Sequence, residues 1–356
     1  MINLKRLGIR AVIVSFWISL IVAILFVSNI KKLFMSSDSI NIFAWIDMID
    51  TDKILKFEKE TGIKVNINYY ESYQELLAKL RVATPGEYDM LMITEYALNY
   101  FPENSFKIID KSKLDFWHKI EPHFLDHPFD KGNKISIPFF WDIYGIGIDK
   151  SYITEQNKDL GWDLIFNEAQ SLKPVIMINE ALESMSIASL YLFGKANNMS
   201  NDQLYEIRDL LIKQKKWVEA YTDLKADYYL ISQISPAVVT QSAYINRALK
   251  ESNKFKFIIP KEGSFLVIDS IAIPGSSNKT DKVYKFICFL FQEELMKDIM
   301  EKNSYLPVLK TILDKTDLSY LGKDILSDER FRKLHFFGNF TSPDLLNNLW
   351  IEMKSA

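Results

Sequence analysis

The side chains of this sequence that could do chemistry are acids, hydroxyls and aromatic rings that follow predicted strands. Seven of them come at or just after the ends of apolar runs: Trp45, Asp47, Thr94, Tyr96, Glu180, Glu183 and Asp269. The runs are short, as buried strands are, and span residues 41–44, 90–93, 175–178 and 264–268. Ligands of open α/β sheets bind outside the carboxyl ends of the strands, so we expect these side chains to face one cleft.

A cleft lined by carboxylates and rings suits an organic cation. Ammonium groups that leave water lose strong hydration, and they recover it by pairing with carboxylates and by lying over ring faces. Other roles stay open for single residues. Glu180 and Glu183 are one helical turn apart and could instead stabilise a helix N-terminus by about 0.3–1 kcal/mol. Trp45 could pack in the core, and Asp47 could cap a helix.

Other chemistries lack their motifs. The sequence contains neither GxxxxGK[ST] nor GxSxG, so a phosphate-binding loop and a nucleophile elbow are unsupported. Gly145 and Gly147 form a lone GxG inside a strand pattern, where we expect close backbone packing. His123 and His127 have zinc-ligand spacing, but flanking prolines favour a surface loop. Cys288 is expected to be a buried small hydrophobe. We expect no cofactor and no metal site.

Length and charge set further bounds. At about 150 residues per domain, 356 residues indicate two domains. The single Cys excludes an internal disulfide. The net charge of −3 gives no drive toward nucleic acid. Five basic and no acidic residues lie in 1–37, so residues 38–356 carry 38 basic against 46 acidic side chains, a net charge of −8.

The N-terminus has the pattern of an export signal. Lys5, Arg6 and Arg10 precede a mostly apolar stretch at residues 11–30, about as long as a membrane-spanning helix. Basic residues stay on the cytoplasmic side, which sends residue 38 onward across the membrane. We expect a periplasmic protein. Whether residues 1–37 are a cleaved signal peptide or an uncleaved anchor in the inner membrane stays open.

The remaining pattern predicts an α/β fold. Residues 41–93 read strand–helix–strand–helix–strand, with a helix at 52–60 that Gly62 ends. Further strands are predicted on both sides of residues 139–141, and one long helix at 283–299. Two domains without an obvious linker indicate that the chain crosses between them more than once.

Several motifs occur in the order and spacing of a known family. They are FEKETGIKV at 57–65, IDKSKL at 109–114, PFD at 128–130, IPFFW at 137–141 and PKEGSFLVIDSIAIP at 260–274. Over residues 41–353 the chain resembles the bacterial periplasmic spermidine/putrescine-binding proteins of ABC transporters.

The resemblance implies a two-lobed periplasmic-binding-protein fold (type II). Lobe 1 would comprise residues 38–146 plus 268–306, and lobe 2 residues 147–267 plus 307–356. The implied protein is a monomer without enzymatic activity. It binds a linear polyamine between its lobes and delivers it to the membrane-embedded permease subunits of an importer.

The resemblance also implies roles for single residues. Nine stand at the family's pocket positions: Trp45, Asp47, Thr94, Tyr96, Glu180, Glu183, Thr222, Asp269 and Tyr305. Among them Trp45 matches a stacking Trp, Glu180 and Glu183 match an acidic pair that receives amine ends, and Asp269 matches a central carboxylate.

Some pocket positions depart from the family. Met48, Thr240 and Val267 stand where it often has rings, and the family's C-terminal pocket Gln falls near Phe337 or Gly338. Three other rings could either rebuild the wall or pack in the core: Phe140, Trp141 and Tyr144. The ligand could therefore be another cationic amine, an amino acid or a metal complex. An anchored enzyme with a carboxylate pair, such as a glycosidase, and a ligand-sensing partner of a chemoreceptor are further alternatives.

Overall fold

The computed structural model describes residues 14–17, 19, 38–46, 48–155, 160–222, 224–322, 325–338 and 340–356. Most of the predicted signal or anchor segment, 1–37, therefore lies outside the described residues, and so does Asp47. Within the described ranges, no helix has the length and apolar character needed to cross a membrane.

The described chain alternates strands and helices along most of its length. The strands are β1 Ser39–Trp45, β2 Lys64–Tyr70, β3 Met90–Thr94, β4 Ser136–Asp149, β5 Val175–Met177, β6 Val218–Tyr221, β7 Ala237–Gln241, β8 Phe255–Ile258, β9 Ser264–Ala272, β10 Leu306–Pro307 and β11 Leu334–His335. The helices are α1 Thr51–Thr61, α2 Tyr73–Val82, α3 Glu95–Leu98, α4 Asp163–Phe166, α5 Ala181–Phe193, α6 Asn201–Gln214, α7 Ala226–Ile231, α8 Ser242–Glu251, α9 Thr280–Leu290, α10 Glu293–Asn303, α11 Lys310–Leu313, α12 Asp328–Phe331 and α13 Pro343–Ser355.

The sheet consists of two groups of parallel strands joined by two antiparallel ones. Its order is β2-β1-β3-β9-β4-β7-β5-β6. We call β2, β1 and β3 the first strand group, and β7, β5 and β6 the second strand group; neighbours within each group run parallel. Strands β9 and β4 lie between the groups and run antiparallel to their neighbours β3 and β7. The chain thus crosses between the two strand groups more than once.

The first strand group follows the predicted pattern closely. Helix α1 ends where Gly62 adopts φ +72, and the Gly62 amide donates to the Glu58 carbonyl oxygen at 2.9 Å. Strand β3 is a continuous apolar run with Met90 to Ile93 buried, as expected of a parallel strand covered on both faces. This register brings the ends of β1 and β3 to one edge of the sheet.

The central strand β4 differs from its prediction. We expected two strands flanking residues 139–141, whereas one strand of 14 buried residues runs through that segment. Its first part pairs with β9 and its second part with β7 and β8, so hydrogen bonds hold it extended along its length. Gly145 and Gly147 lie in the second part, where an added Cβ would collide with Ile258 and Ile245, respectively. The close packing expected of this GxG is confirmed.

Two other expectations need correction. The long helix predicted at 283–299 is divided into α9 and α10, because Gln292 between them has extended backbone with ψ 127. Cys288 is half-buried rather than buried. It lies in α9, and its thiol donates a hydrogen bond to the Lys113 carbonyl oxygen at 3.4 Å.

The two histidines lie in a segment of short 3-10 turns, as their flanking prolines predicted. The His123 ring lies between the carboxylates of Glu121 (2.8 Å) and Asp328 (2.9 Å). His127 Nε2 is 2.8 Å from the His123 carbonyl oxygen.

Candidate functional site

Most of the predicted site residues line one cavity. It has a volume of about 670 Å³ counted out to its open mouth, and it lies between the two strand groups. Eight of the nine predicted residues line it: Trp45, Thr94, Tyr96, Glu180, Glu183, Thr222, Asp269 and Tyr305. The ninth, Asp47, is outside the described residues.

Strand ends of the first group position three of these side chains. Trp45 is the last residue of β1 and Thr94 the last of β3, and Tyr96 lies in the short helix α3 that begins at the next residue. Because β1 and β3 are parallel neighbours, their carboxyl ends meet at the same edge of the sheet. The strand-end rule therefore explains why residues about 50 positions apart share one wall.

The two acids Glu180 and Glu183 form hydrogen bonds with residues next to the first strand group. Glu180 and Glu183 lie at the start of α5 and are 5% and 2% exposed. Glu180 Oε1 accepts a hydrogen bond from the Tyr73 backbone amide at 3.0 Å, and Glu183 Oε1 accepts one from the Tyr96 hydroxyl at 2.7 Å. Glu180 makes no capping hydrogen bond to α5. Both acids nevertheless lie at the N-terminus of α5, so the alternative that their charges stabilise the start of this helix stays open.

Asp269 reaches the cavity from within a strand rather than after one. It belongs to β9, where it lies opposite Thr94 of β3 and Phe140 of β4. The sequence placed it after a strand ending at residue 268, but the strand continues because both its edges are paired. Burial, together with the nearby charge of Asp142, raises the pKa of Asp269 to about 7.

Asp142 lies behind Asp269 and is held by the start of α8. Its carboxylate accepts hydrogen bonds from the Ser242 hydroxyl and from the Ala243 amide at 3.2 Å. Burial raises the pKa of Asp142 to about 6, although these hydrogen bonds oppose the shift. The cavity thus carries an acid whose pKa is close to neutral pH, with a second acid nearby.

Glu95 is a further buried acid, close to Asp269 and Glu183. Its Oε2 accepts the Ile268 amide at 2.8 Å, and its side chain is fully buried. Burial raises its pKa well above the usual range, and the charges of Asp269 and Glu183 act in the same direction. Through its hydrogen bond with the Ile268 amide, Glu95 joins α3 to β9.

Tyrosines supply cavity walls that the sequence interpretation did not single out. Tyr70, Tyr73 and Tyr244 all line the cavity. Tyr70 presents its ring edge-on to Trp45, with centroids 5.3 Å apart and planes at 85°. Tyr70 ends β2, and Tyr244 follows β7 by three residues. The same strand-end signal, applied to these two strands, would have found them.

The departures from the family separate into lining and core residues. Met48, Thr240 and Tyr144 line the cavity, and the Tyr144 hydroxyl accepts from Gln241 Nε2 at 3.2 Å. Val267, Phe140 and Trp141 do not line the cavity. Val267 is 1% exposed, and the other two side chains pack in the core. The indole N–H of Trp141 donates a hydrogen bond to the Pro307 carbonyl oxygen.

Thr222 and Tyr305 border the cavity from two further segments. Thr222 follows β6, where its amide donates to the Met177 carbonyl at 2.9 Å and its hydroxyl to the Leu224 carbonyl at 2.6 Å. Tyr305 precedes β10, and burial raises the pKa of its hydroxyl. No strand was predicted at β6, so only the resemblance indicated Thr222.

A two-lobed α/β fold with an acidic, aromatic cavity beside its crossing strands defines a solute-binding protein. Residues 54–324 match the family of bacterial extracellular solute-binding proteins, and the chain belongs to this family.

Named relatives agree with this assignment. The chain is 28% identical over 272 residues to the spermidine/putrescine-binding periplasmic protein of Salmonella typhimurium, covering 76% of this chain and 77% of that protein. It is 26% identical over 337 residues to a putrescine/cadaverine-binding protein of Pseudomonas aeruginosa, covering 90% and 94%. The solved spermidine/putrescine ABC transporter substrate-binding protein of Streptococcus pneumoniae superposes with a TM-score of 0.73 at 25% identity, covering 90% and 99%. The predicted periplasmic-binding-protein fold is confirmed.

Proposed function

We propose that this chain is the extracytoplasmic substrate-binding component of an ABC importer and that its ligand is a linear polyamine such as putrescine or spermidine. The observation that carries the proposal is that three acids and several aromatic rings line one cavity. Asp269 comes from strand β9, and Glu180 and Glu183 come from the start of α5. The names of the relatives support the same ligand class.

In the pose that we propose, one ammonium group pairs with Asp269 and the other with Glu180 and Glu183. Charge-assisted hydrogen bonds of this kind are about twice as strong as neutral ones. Trp45 and Tyr70 lie along the methylene chain, and each ring close to an ammonium group contributes about 0.5–2 kcal/mol. Thr94, Tyr96, Thr222 and Tyr305 border the same space, and we assign Asp47 to this pocket from the resemblance alone.

The two strand groups belong to two lobes that close on the ligand. We assign residues 38–146 plus 268–306 to lobe 1 and residues 147–267 plus 307–356 to lobe 2. The two long strands β4 and β9 support this division. They pair with each other, β9 also pairs with β3 of the first strand group, and β4 also pairs with β7 of the second. Closure follows from the higher affinity of the ligand for the closed state.

The remaining parts of the proposal concern cellular context. The Salmonella typhimurium relative, which is named as periplasmic, favours a periplasmic location for the exported body. Residues 1–37 would act as a signal peptide or as a tether to the inner membrane. The closed monomer would dock on permease subunits and return its ligand chemically unchanged.

Calorimetry tests the ligand. Residues 38–356, titrated with putrescine and with spermidine, should release binding heat that saturates at one site. No heat with either amine at high micromolar concentration would overturn the polyamine proposal. Native mass spectrometry of freshly purified protein is an independent check, because the mass of any retained ligand identifies it.

Met48 and Thr240 in the cavity wall favour a second candidate, in which the same fold binds another cationic amine, an amino acid or a metal complex. A thermal-shift screen of such compounds separates the two, since a tight ligand raises the melting temperature by mass action.

A further inference from the structure

Three aromatic rings, Phe337 with Tyr96 and Tyr144 in front of it, lie between the ligand cavity and a second cleft. This second cleft has a volume of about 670 Å³ counted out to its mouth, and Phe337 is part of its wall. On its other side the Phe337 ring meets Tyr96 and Tyr144 edge-on, with centroids 5.8 Å and 5.2 Å away. Both tyrosines line the ligand cavity. The Phe337 side chain, 3% exposed, fills the space between the two.

The backbone holds this ring firmly in place. The preceding strand β11 pairs with Ser264 and Phe265 of β9, and the Phe337 ring stacks on Phe265 at 4.1 Å with planes 4° apart. The next residue, Gly338, has φ +127, and a Cβ there would lie 3.3 Å from Asn99 Nδ2. A residue with a side chain would strain this turn, so glycine fixes the direction in which Phe337 points.

Tyr96 connects Phe337 to the acidic pair. Its ring packs against Phe337, and its hydroxyl donates to Glu183 at 2.7 Å. The acid that we assign to an amine end therefore lies at the end of the cavity that Phe337 supports. A ligand that reaches Glu183 cannot extend further in this direction while the Tyr96 and Tyr144 rings stay in place.

We propose that Phe337 is a positioning residue that limits ligand length: by backing Tyr96 and Tyr144 it closes the acidic end of the cavity and favours a short diamine over a longer polyamine. This inference rests on the proposed function. Without the ring, the two tyrosines lose their support, and the cavity can extend into the second cleft. Asn99, Asn197 and His335 line that cleft and offer polar groups to an extended amine.

The test compares affinity ratios rather than affinities. The full-length protein and its variants are titrated calorimetrically with putrescine, cadaverine and spermidine. In Phe337→Ala the affinity for spermidine relative to putrescine should rise by about tenfold, the effect of roughly one methylene group in a fitted pocket. Phe337→Leu keeps apolar bulk and should give a smaller rise, and it carries the test if the alanine variant does not fold.

Phe336→Ala is the matched control. Phe336 also lines the second cleft, but its ring packs on His127 and Phe129, at 4.6 Å and 5.3 Å, and away from the two tyrosines. In Phe336→Ala the affinity for spermidine relative to putrescine should equal that of the unaltered protein. Unchanged ratios in both Phe337 variants, or an equal shift in Phe336→Ala, would overturn the role of Phe337. Absence of binding by the unaltered protein would instead overturn the proposed function.

Discussion

Asp269→Asn removes a charge from the cavity while it preserves the size of the side chain. The structure gives this change two opposite consequences. The amine loses its carboxylate partner in a buried site, which should weaken diamine binding by about 2–5 kcal/mol. The ligand-free protein loses a carboxylate that burial disfavours, which should make it more stable at high pH.

The size of the second effect follows from the pKa. The value for Asp269 rises from 3.8 to about 7, and each unit corresponds to about 1.4 kcal/mol. The folded protein therefore binds more protons than the unfolded chain between about pH 4 and pH 7, so the free energy of unfolding falls as the pH rises through this window. Asparagine does not titrate, so Asp269→Asn should not lose stability in this window. Relative to the unaltered protein, its free energy of unfolding should be higher by about 4 kcal/mol above pH 7 and equal below pH 4, and water in the cavity would reduce this difference.

The same protonation governs binding. Primary amines titrate near pH 10, about like Lys, so the ligand stays charged while Asp269 titrates. Ligand binding below pH 7 must release the Asp269 proton. The affinity of the unaltered protein for putrescine should therefore rise by about tenfold per pH unit up to about pH 7 and then level off. In Asp269→Asn this pH dependence should flatten.

Two measurements check the reasoning. Urea unfolding without ligand at pH 5 and pH 8 gives the stability difference, and calorimetry with putrescine from pH 5.5 to 8 gives the affinities. Asp298→Asn, which removes a half-exposed acid paired with Lys53 on the surface, is the control and should change neither result. Equal stability of Asp269→Asn and the unaltered protein at pH 8, together with an unchanged pH profile, would refute the assigned role.

Three further predictions concern other parts of the molecule. Glu183→Gln and Tyr96→Phe both alter a buried 2.7 Å hydrogen bond, so a double-mutant cycle measured by putrescine calorimetry should show coupling of about 0.5–3 kcal/mol; additive effects would contradict it. Trp45→Leu should weaken putrescine binding by about 0.5–2 kcal/mol at every pH, because it removes a ring and no charge. Gly145→Ala should lower the urea midpoint more than Gly147→Ala, since the new methyl group meets a backbone carbonyl rather than flexible Ile and Leu ends; the reverse order would argue against this packing.

Much of the fold could be predicted because it depends on local patterns. The apolar run of β3 and the glycine that ends α1 are each encoded within a few residues. The long strand β4 could not be predicted in the same way, because its continuity comes from three partner strands that lie far away in the chain. Likewise nothing local indicates that Gln292 divides α9 from α10.

The candidate site shows the same division. Trp45 and Thr94 could be found because they end parallel strands, where side chains converge on one edge of the sheet. Asp269 was found through the family resemblance and a misplaced strand end. Asp142 and Glu95 were missed, because only the folded chain brings these acids next to Asp269 and only burial makes them unusual.

The hydrogen bonds from Tyr73 and Tyr96 to the acidic pair bear on how the cargo leaves. Each of these two donors bonds one oxygen, Oε1, of a carboxylate that we assign to an amine. A carboxylate has about four acceptor sites, so an ammonium group can pair with the same acid while the donor stays in place. During unloading, the donors still hold the acids as the amine departs. No buried charge is then left without a partner, and the barrier to release is correspondingly lower.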